Sequence, residues 1–404
     1  MQISMPCFSQ TEVMEDMKIK ELKELAWQGE DMQAAWFEEI CDYIFKHPEI
    51  GNEEYLSSAY LAEQMKKLGF EVTYPYMGLE TAFRCEYGDE DGPAIGFLAE
   101  YDALRGYGPN HDEMAHACGH NWIAASTFAA CAALKSIKPH WKGRIVYIGT
   151  PAEENFGRKV DMAEMGAFDD LTAVFQMHLA HDTVVDTVAL AMTDFIFNFE
   201  GVAAHASSHP QRGVNALDAC TLTMAGINAL RQHLESDVRI HAIITDGGKS
   251  PNIVPEHADM AVYVRAGQKD YLEEVIEKVI NCARGAELMT GARFSYTRAQ
   301  NTFYDIKPYP ELAGKMKENL KSLGISDWTP GDRYHSGSTD IGNVSYCCPT
   351  CYCTIGTGHI SSANAHEDEY LKIVNSKEGY RLLHIAAKAM AATALDVISE
   401  YEGK

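Results

Sequence analysis

Two histidines and a cysteine fall within five residues in the stretch Ala115-His116-Ala117-Cys118-Gly119-His120-Asn121. Cys118 and His120 are two apart, so an extended loop aims both side chains the same way, whereas a helix would turn them about 200° apart. The glycine between them lets the backbone bend closely around a small ion. A second stretch, Glu153-Glu154, follows an apolar run and the residues Gly149-Thr150-Pro151. Neighbouring side chains diverge in an extended loop, so one carboxylate of such a pair can bind a metal while the other faces the water to be activated. Cys118, His120, Glu154 and His178 are therefore candidate metal ligands. Glu153 is the candidate general base, taking a proton as water attacks a carbonyl and returning it to the departing amine. Metal binding lowers the pKa of water toward ~7, which brings this chemistry to neutral pH. Two other readings compete. One makes Cys118 a nucleophile with His120 as its base; the other is a binding protein without activity, against which the intact Glu153-Glu154 pair argues.

These residues need elements to hold them. Residues 121–137 are Ala-rich with apolar side chains at helical spacing, and Asn121 reads as an N-cap, so Cys118 and His120 sit in a loop just ahead of a helix. Strands over 94–99, 144–149 and 173–177, with helical pieces over 121–137 and 162–165, give a βαβ rhythm and a mostly parallel sheet. Ligands in such sheets collect at the carboxyl ends of the strands. Glu100 and Asp102 follow the first strand, Glu153 and Glu154 the second, and His178 ends the third, so ligand-type residues converge on one edge. From residue 193 the order changes to β-α-β-β-α-β over 194–199, 214–234, 239–245, 258–265, 270–290 and 293–297, a ferredoxin-like α+β unit. The fold class is α/β: a catalytic domain over 1–192 and 301–404, interrupted by an inserted domain over 193–300. Residues 1–33 read as a peripheral segment leading into helices over 32–46 and 55–68. The returning part holds a helix over 309–323, a turn at 335–340, a cysteine-rich strand and a closing helix over 377–399.

Composition narrows the partners. The 404 residues carry a formal charge of −24, which argues against nucleic acid and anionic membranes. No apolar run approaches the ~20 residues of a spanning helix. Residues 1–16 are too polar for a signal peptide, and eleven cysteines without one read as reduced thiols in the cytoplasm. The segment Cys347-Cys348-Pro349-Thr350-Cys351-Tyr352-Cys353 invites a zinc or iron–sulfur reading, but no second cysteine pair of the usual spacing exists, and the alternation suits a buried strand.

Several stretches then occur together in order: Pro48-Glu49-Ile50-Gly51, Ala99-Glu100-Tyr101-Asp102-Ala103-Leu104, His116-Ala117-Cys118-Gly119-His120 and Gly149-Thr150-Pro151-Ala152-Glu153-Glu154. They continue with Gln176-Met177-His178, Ala204-His205-Ala206, Asn215-Ala216-Leu217, Pro251-Asn252-Ile253-Val254-Pro255 and Gly337-Ser338-Thr339-Asp340. Over nearly its whole length the chain resembles the aminoacylase/carboxypeptidase family of dinuclear metallopeptidases, in its amidohydrolase branch. The resemblance implies a zinc-peptidase-like catalytic domain, with the inserted domain as a lid that also forms a homodimer. It implies two divalent metal ions per subunit, with Cys118 bridging them and His120, Glu154 and His178 as further ligands. A last histidine ligand belongs near the C-terminus, where His366 fits the pattern better than His359. By the same resemblance His205 polarises the scissile carbonyl of a neighbouring active site, a stabilisation of the oxyanion. Asn252 and Arg265 are candidates to hold a substrate carboxylate, Arg265 by a bidentate fork, and Gly337 and Ser338 lie in a turn that lines the pocket. Zn or Mn suits the ligands, as do Co and Ni.

The implied reaction is hydrolysis of the amide of an N-aminoacyl or N-aroyl amino acid, of dipeptide or p-aminobenzoyl-glutamate type, releasing a free amino acid. Deacylation of N-acyl amino acids is the alternative. One departure stands out: Asn155-Phe156-Gly157-Arg158-Lys159 replaces the family's run of glycines, and Phe156 is expected to narrow the substrate pocket.

Overall fold

Ala94–Ala99 is buried along its whole length, as a central strand covered on both faces must be. In this computed structural model, which describes residues 10–332, 334 and 336–401, it lies inside a six-stranded sheet. The strands in chain order are β1 Glu71–Thr73, β2 Phe83–Gly88, β3 Ala94–Ala99, β4 Leu104–Tyr107, β5 Glu113–Ala115, β6 Arg144–Gly149, β7 Ala173–Ala180, β8 Ala191–Glu200, β9 Arg239–Asp246, β10 His257–Ala266, β11 Arg293–Thr297 and β12 Thr350–Gly356. The main sheet runs β1-β2-β6-β3-β7-β12, and β4 and β5 form a separate hairpin. Strands β6, β3, β7 and β12 are parallel, while β1 and β2 join antiparallel at one edge. Phe97 pairs with Phe175, a register that continued past β3 puts Glu100 level with His178.

The chain divides into two compact units: residues 1–187, 307–331 and 344–404 form the first, and 188–306 with 332–343 the second. In the first, helix His120–Ser136 is buried over nearly its whole length, with Trp122, Ile123 and Phe128 in the core. Helix Lys377–Ser399 covers it, and Trp122 donates to the carbonyl of Gly379 at 2.8 Å. This closing helix is long and apolar enough to cross a membrane, contrary to the expectation that no such run exists. Its apolar residues have another use: Leu382, Leu383, Ala386 and Met390 are all buried in this core.

The N-terminal stretch is not peripheral. Its first nine residues lie outside the described part, but Gln10–Asp31 is a helix that places Leu22 and Ala26 in the core. Trp27 donates to the carbonyl of Lys388 from that helix.

The second unit is an antiparallel sheet in the order β11-β8-β10-β9, packed against helices Ala216–Leu230 and Lys269–Thr290. Along β10, Ala258, Met260, Val262, Val264 and Ala266 are buried, the alternation of a one-faced strand. Asn215 caps the first of these helices by accepting from the backbone of Leu217 and Asp218. Residues 332–343, expected to return to the catalytic part, group with the second unit instead. Local hydrogen bonds explain this: Leu190 N donates to the Gly337 carbonyl, Tyr304 N to Asn343, and Arg265 Nη1 to Ser338 Oγ at 2.7 Å.

A second correction concerns the start of the buried helix. Asn121 is not its cap. The helix begins at His120, and Gly119 caps it in the left-handed region at φ 82°. Asn121 is buried one residue further in, where it donates to Asn375 at 2.8 Å. Gly119 is thus the hinge that turns the chain from Cys118 into the helix. A side chain there would be strained, and its Cβ would meet the Tyr370 hydroxyl at 3.3 Å. Gly119→Ala should lower unfolding stability by about 1–2 kcal/mol in urea titration. It should also weaken metal retention, because Cys118 and His120 are re-aimed.

Candidate metal centre

Asp102 lies just beyond the carboxyl end of β3 and is fully buried. Its Oδ1 accepts from His120 Nδ1 at 2.7 Å, and its Oδ2 accepts from the backbone of Glu154 at 3.0 Å. One carboxylate therefore fixes both the imidazole and the loop after β6. With Nδ1–H given to Asp102, His120 turns Nε2 to the site. His178 is set in the same manner: its Nδ1 donates to the Leu179 carbonyl at 2.7 Å, leaving Nε2 3.2 Å from Cys118 Sγ. His366, in the turn ahead of helix Asp368–Val374, has Nε2 3.5 Å from Glu154 Oε1. Its backbone N–H donates to the Ala117 carbonyl at 2.7 Å, which ties this turn to the loop carrying Cys118.

The donors form two groups that share one sulfur. Cys118, His120 and His178 offer ligand atoms within 4.8 Å of one another, and so do Cys118, Glu154 and His366. A cysteine common to two trios of soft and borderline donors is a set that a pair of transition-metal ions would suit. The donor set fits two such ions. Glu153 belongs to a third grouping with His120 and Glu154, so its carboxylate faces the same space. His359, the other candidate for the last ligand, pairs instead with Glu378 at 2.7 Å. His116 is buried and belongs to none of these groups; desolvation with the charge of His120 pushes it down to about 3, so it stays neutral. Among the described residues, no grouping able to hold a metal includes a cysteine from 347–353. Cys351 and Cys353 are buried on one face of β12, as the strand alternation implied.

Burial raises the Cys118 thiol well above its ordinary pKa, and the Glu154 carboxylate beside it adds to the effect. A cysteine nucleophile is favoured by the opposite shift. His120 moves upward: burial opposes its charge, but Asp102 and Cys118 outweigh that. Glu154 moves downward, since His366 and His120 more than offset its desolvation.

Two supporting carboxylates carry roles that the sequence pattern did not assign. Asp102 stands on the ligand edge of the sequence pattern without a task, and Glu54 carries no signal of its own there. Glu54 is fully buried and accepts from Ala152 N at 2.7 Å and Thr81 Oγ1 at 2.9 Å. Ala152 has φ 57°, so Glu54 pins a strained residue directly ahead of the Glu153-Glu154 pair. The signal available in sequence was a second acidic residue after Pro48-Glu49, indistinguishable there from a solvated one.

The substrate-facing candidates divide between the units. Phe156, in the first, is exposed and carries the Arg158 guanidinium over its ring at 5.2 Å. His205, Asn252, Arg265, Gly337 and Ser338 lie in the second. There His205 bridges to Ile253, and Ala206 N donates to the Asn252 carbonyl, so the Ala-His-Ala and Pro-Asn-Ile segments are neighbours.

A parallel-sheet unit with a shared Cys–His–Glu donor cluster at its strand ends defines a metal-dependent hydrolase. Residues 96–394 match the model of Peptidase family M20/M25/M40, and the chain belongs to that family of amide-bond hydrolases. It is 34% identical over 394 residues to Xaa-Arg dipeptidase of Mus musculus, covering 93% of this chain and 89% of the mouse protein. One of the p-aminobenzoyl-glutamate hydrolase polypeptides of Escherichia coli (strain K12) is 33% identical over 306 residues, covering 72% of this chain and 63% of the bacterial one. Among solved structures, a dinuclear metal-binding peptidase of the M20 family from Bacillus subtilis superposes with a TM-score of 0.68 at 20% identity, covering 91% of this chain and 99% of that one.

Asp102→Asn should reduce metal affinity by about 10- to 100-fold in chelator competition, with the fold intact by circular dichroism, because the amide no longer fixes the His120 tautomer. Glu54 gives a pH signature in the metal-free protein. Burial and the Asp102 charge push its carboxyl up to about 8 from an ordinary 4.5. The folded state then holds a proton that the unfolded chain releases, so stability falls as pH rises from 4.5 toward 8. Glu54→Gln should remove that slope, and parallel urea-unfolding curves for both proteins across this window would refute the assignment.

Proposed function

We propose that the protein is a cytoplasmic, homodimeric dipeptidase or aryl-amide hydrolase that releases a free amino acid from an N-aminoacyl or N-aroyl amino acid. The observation that carries this reading is the Glu153 carboxylate, grouped with His120 and Glu154 beside the paired donor trios. Similarity to a dipeptidase over 93% of the chain, and to a p-aminobenzoyl-glutamate hydrolase polypeptide over 72%, supports the substrate class. Cys118, His120, Glu154, His178 and His366 would hold two divalent ions, Zn or Mn best suiting the set, and bound ions supply an electrophile for the carbonyl and a water acidic enough to react at neutral pH. Glu153 accepts the proton of the attacking water at its carboxylate and delivers it to the nitrogen of the leaving amino acid. His205 donates to the carbonyl oxygen as charge builds there, from the lid of the partner subunit. Asn252 and Arg265 hold the carboxylate of the amino acid to be released, with Gly337 and Ser338 shaping the same pocket. Phe156, stiffened by Arg158 over its ring, narrows the pocket where relatives of this branch carry glycines.

Dimerisation through the second unit is supported by β9, an edge strand that exposes Ile243 and Ile244. The ten described cysteines form no disulfide, which supports a reducing compartment. Deacylation of N-acyl amino acids is the second reading, because the paired donors serve any amide.

A panel of dipeptides, aryl-amide glutamates and N-acyl amino acids, assayed by mass spectrometry with Zn- and Mn-loaded enzyme, tests the proposal. Release should favour the first two classes. Glu153→Gln should lose about 10²- to 10⁴-fold in kcat while retaining both metals. Preference for fatty acyl groups would transfer the assignment to the second reading, and no release from any class would overturn both.

A further inference from the structure

The even-numbered side chains of β10, from Ala258 to Ala266, are buried under the two helices of the second unit, so Tyr263 and Arg265 stand on the opposite face of the sheet. Ile240 of β9 joins the buried set, which puts Arg239 and His241 on that same open face. The register sets Arg239 directly opposite Arg265, and His241 opposite Tyr263. Charge is segregated along this face. Glu200 and Asp259 lie at one end, both paired with His257, and the two arginines with His241 lie at the other. Arg231, just past helix Ala216–Leu230, joins the basic end through its bond to the Ile240 carbonyl at 2.9 Å.

Like charges facing each other on neighbouring strands cost stability, and here no carboxylate offsets them. Among the described residues the three guanidinium groups bond to neutral acceptors. Arg231 reaches the Ile240 carbonyl and the Asn228 side chain, Arg239 Nη1 the carbonyls of Ser236 and Val238, and Arg265 Nη1 the Ser338 hydroxyl. Asp194, which faces Tyr263 from β8, is buried and accepts instead from the backbone of Gln300. Burial, then the charges of Arg265, Arg231 and Arg239, hold the His241 imidazole below its ordinary pKa. In a chain of charge −24, this patch has no protein counter-charge of its own, and it adjoins the arginine assigned above to the substrate carboxylate. One carboxylate fills one guanidinium fork. Arg239 commits only Nη1 to the protein, so Nε and Nη2 remain to grip a second.

We propose that Arg239 and His241 hold a second carboxylate beside the one on Arg265, so that the amino acid released is dicarboxylic, of the glutamate or aspartate type. The inference rests on the hydrolase reading above and narrows its leaving group. Arg239 offers a charged fork, neutral His241 donates one ring N–H, and Arg231 adds to the field from behind. A cationic leaving residue meets repulsion at the same place.

The test compares kcat/KM of the full-length enzyme, loaded with Mn(II) or Zn(II), on two series of amides, one glycyl and one p-aminobenzoyl. Within each series only the residue released differs: glutamate, its neutral isostere glutamine, or arginine. Wild type should favour the glutamate amide over the glutamine amide by roughly 10- to 100-fold, chiefly through KM, as charge-assisted hydrogen bonds do. Arg239→Gln and His241→Ala should each shrink that ratio by about fivefold or more, and Arg239→Glu should move the preference toward the arginine amide. Arg293→Gln, on the same face at its acidic end, should keep the wild-type ratio. Equal losses on the glutamate and glutamine amides in the Arg239 and His241 variants would mark a structural role and overturn the proposal. A wild-type ratio near one, or a wild-type preference for the arginine amide, would overturn it as well. Each of these results leaves the hydrolase reading standing, whereas release from neither series by wild type would overturn both.

Discussion

The candidate centre depends on the carboxylate of Asp102. Its two oxygens join side chain and backbone from separate loops, the start of the buried helix at His120 and the turn at Glu154. A buried carboxylate is costly unless both oxygens are satisfied, and here both partners are also components of the site. The same group holds Nδ1–H of His120, so the direction in which Nε2 points follows from a hydrogen bond made on the far side of the ring. Similar restraints recur around it. Leu179 sets His178, Ala117 holds the backbone of His366, and Lys159 holds Glu100. The side chains of the candidate centre are thereby oriented from behind.

The sheet determines where this can happen. Parallel strands end at a common edge, and β3, β6 and β7 deliver Glu100, Asp102, the glutamate pair and His178 to it. Positive φ values occur where the chain must turn sharply at this edge: Ala152 at 57°, Gly119 at 82° and His366 at 74°. Strain at non-glycine residues persists only where surroundings hold it. Glu54 on Ala152 N is one such restraint, and the Ala117 carbonyl on His366 N is another.

Much of this was legible in the residues. The apolar run 94–99 and the alternation along 258–265 are local signals, and both strands stand where those signals put them. Cys118, His120, Glu154 and His178 were marked by type and by their place after strands, and His366 came through family likeness. What escaped were roles that depend on contacts remote in sequence. Asn121 looks like a helix cap because the residues after it are helical, yet its side chain is occupied 254 positions away at Asn375. Glycine at 119 could take the left-handed cap that a preceding residue pattern does not announce. The 332–343 segment reads as a plain return to the first unit, and only its bonds to Leu190, Tyr304 and Arg265 show otherwise. Helix Lys377–Ser399 looks like a membrane segment by composition, because a helix packed inside a protein and one packed in lipid share the same chemistry on their faces.

The order of the elements along the chain constrains how the molecule is made. Strand β7 finds its parallel neighbour β12 only after the whole of the second unit has been threaded between them. The cover for helix His120–Ser136 comes later still, with Trp122 bonding to a carbonyl 257 residues downstream. During synthesis from the N-terminus, the β12-facing edge of β7 and the face of this helix that Lys377–Ser399 covers must therefore wait while the second unit emerges. That unit is built from local, largely contiguous contacts and can form first. The unit with the candidate metal centre is thus the last to close, with part of its core waiting for β12 and helix Lys377–Ser399, and it is the unit whose nascent form most needs protection from aggregation.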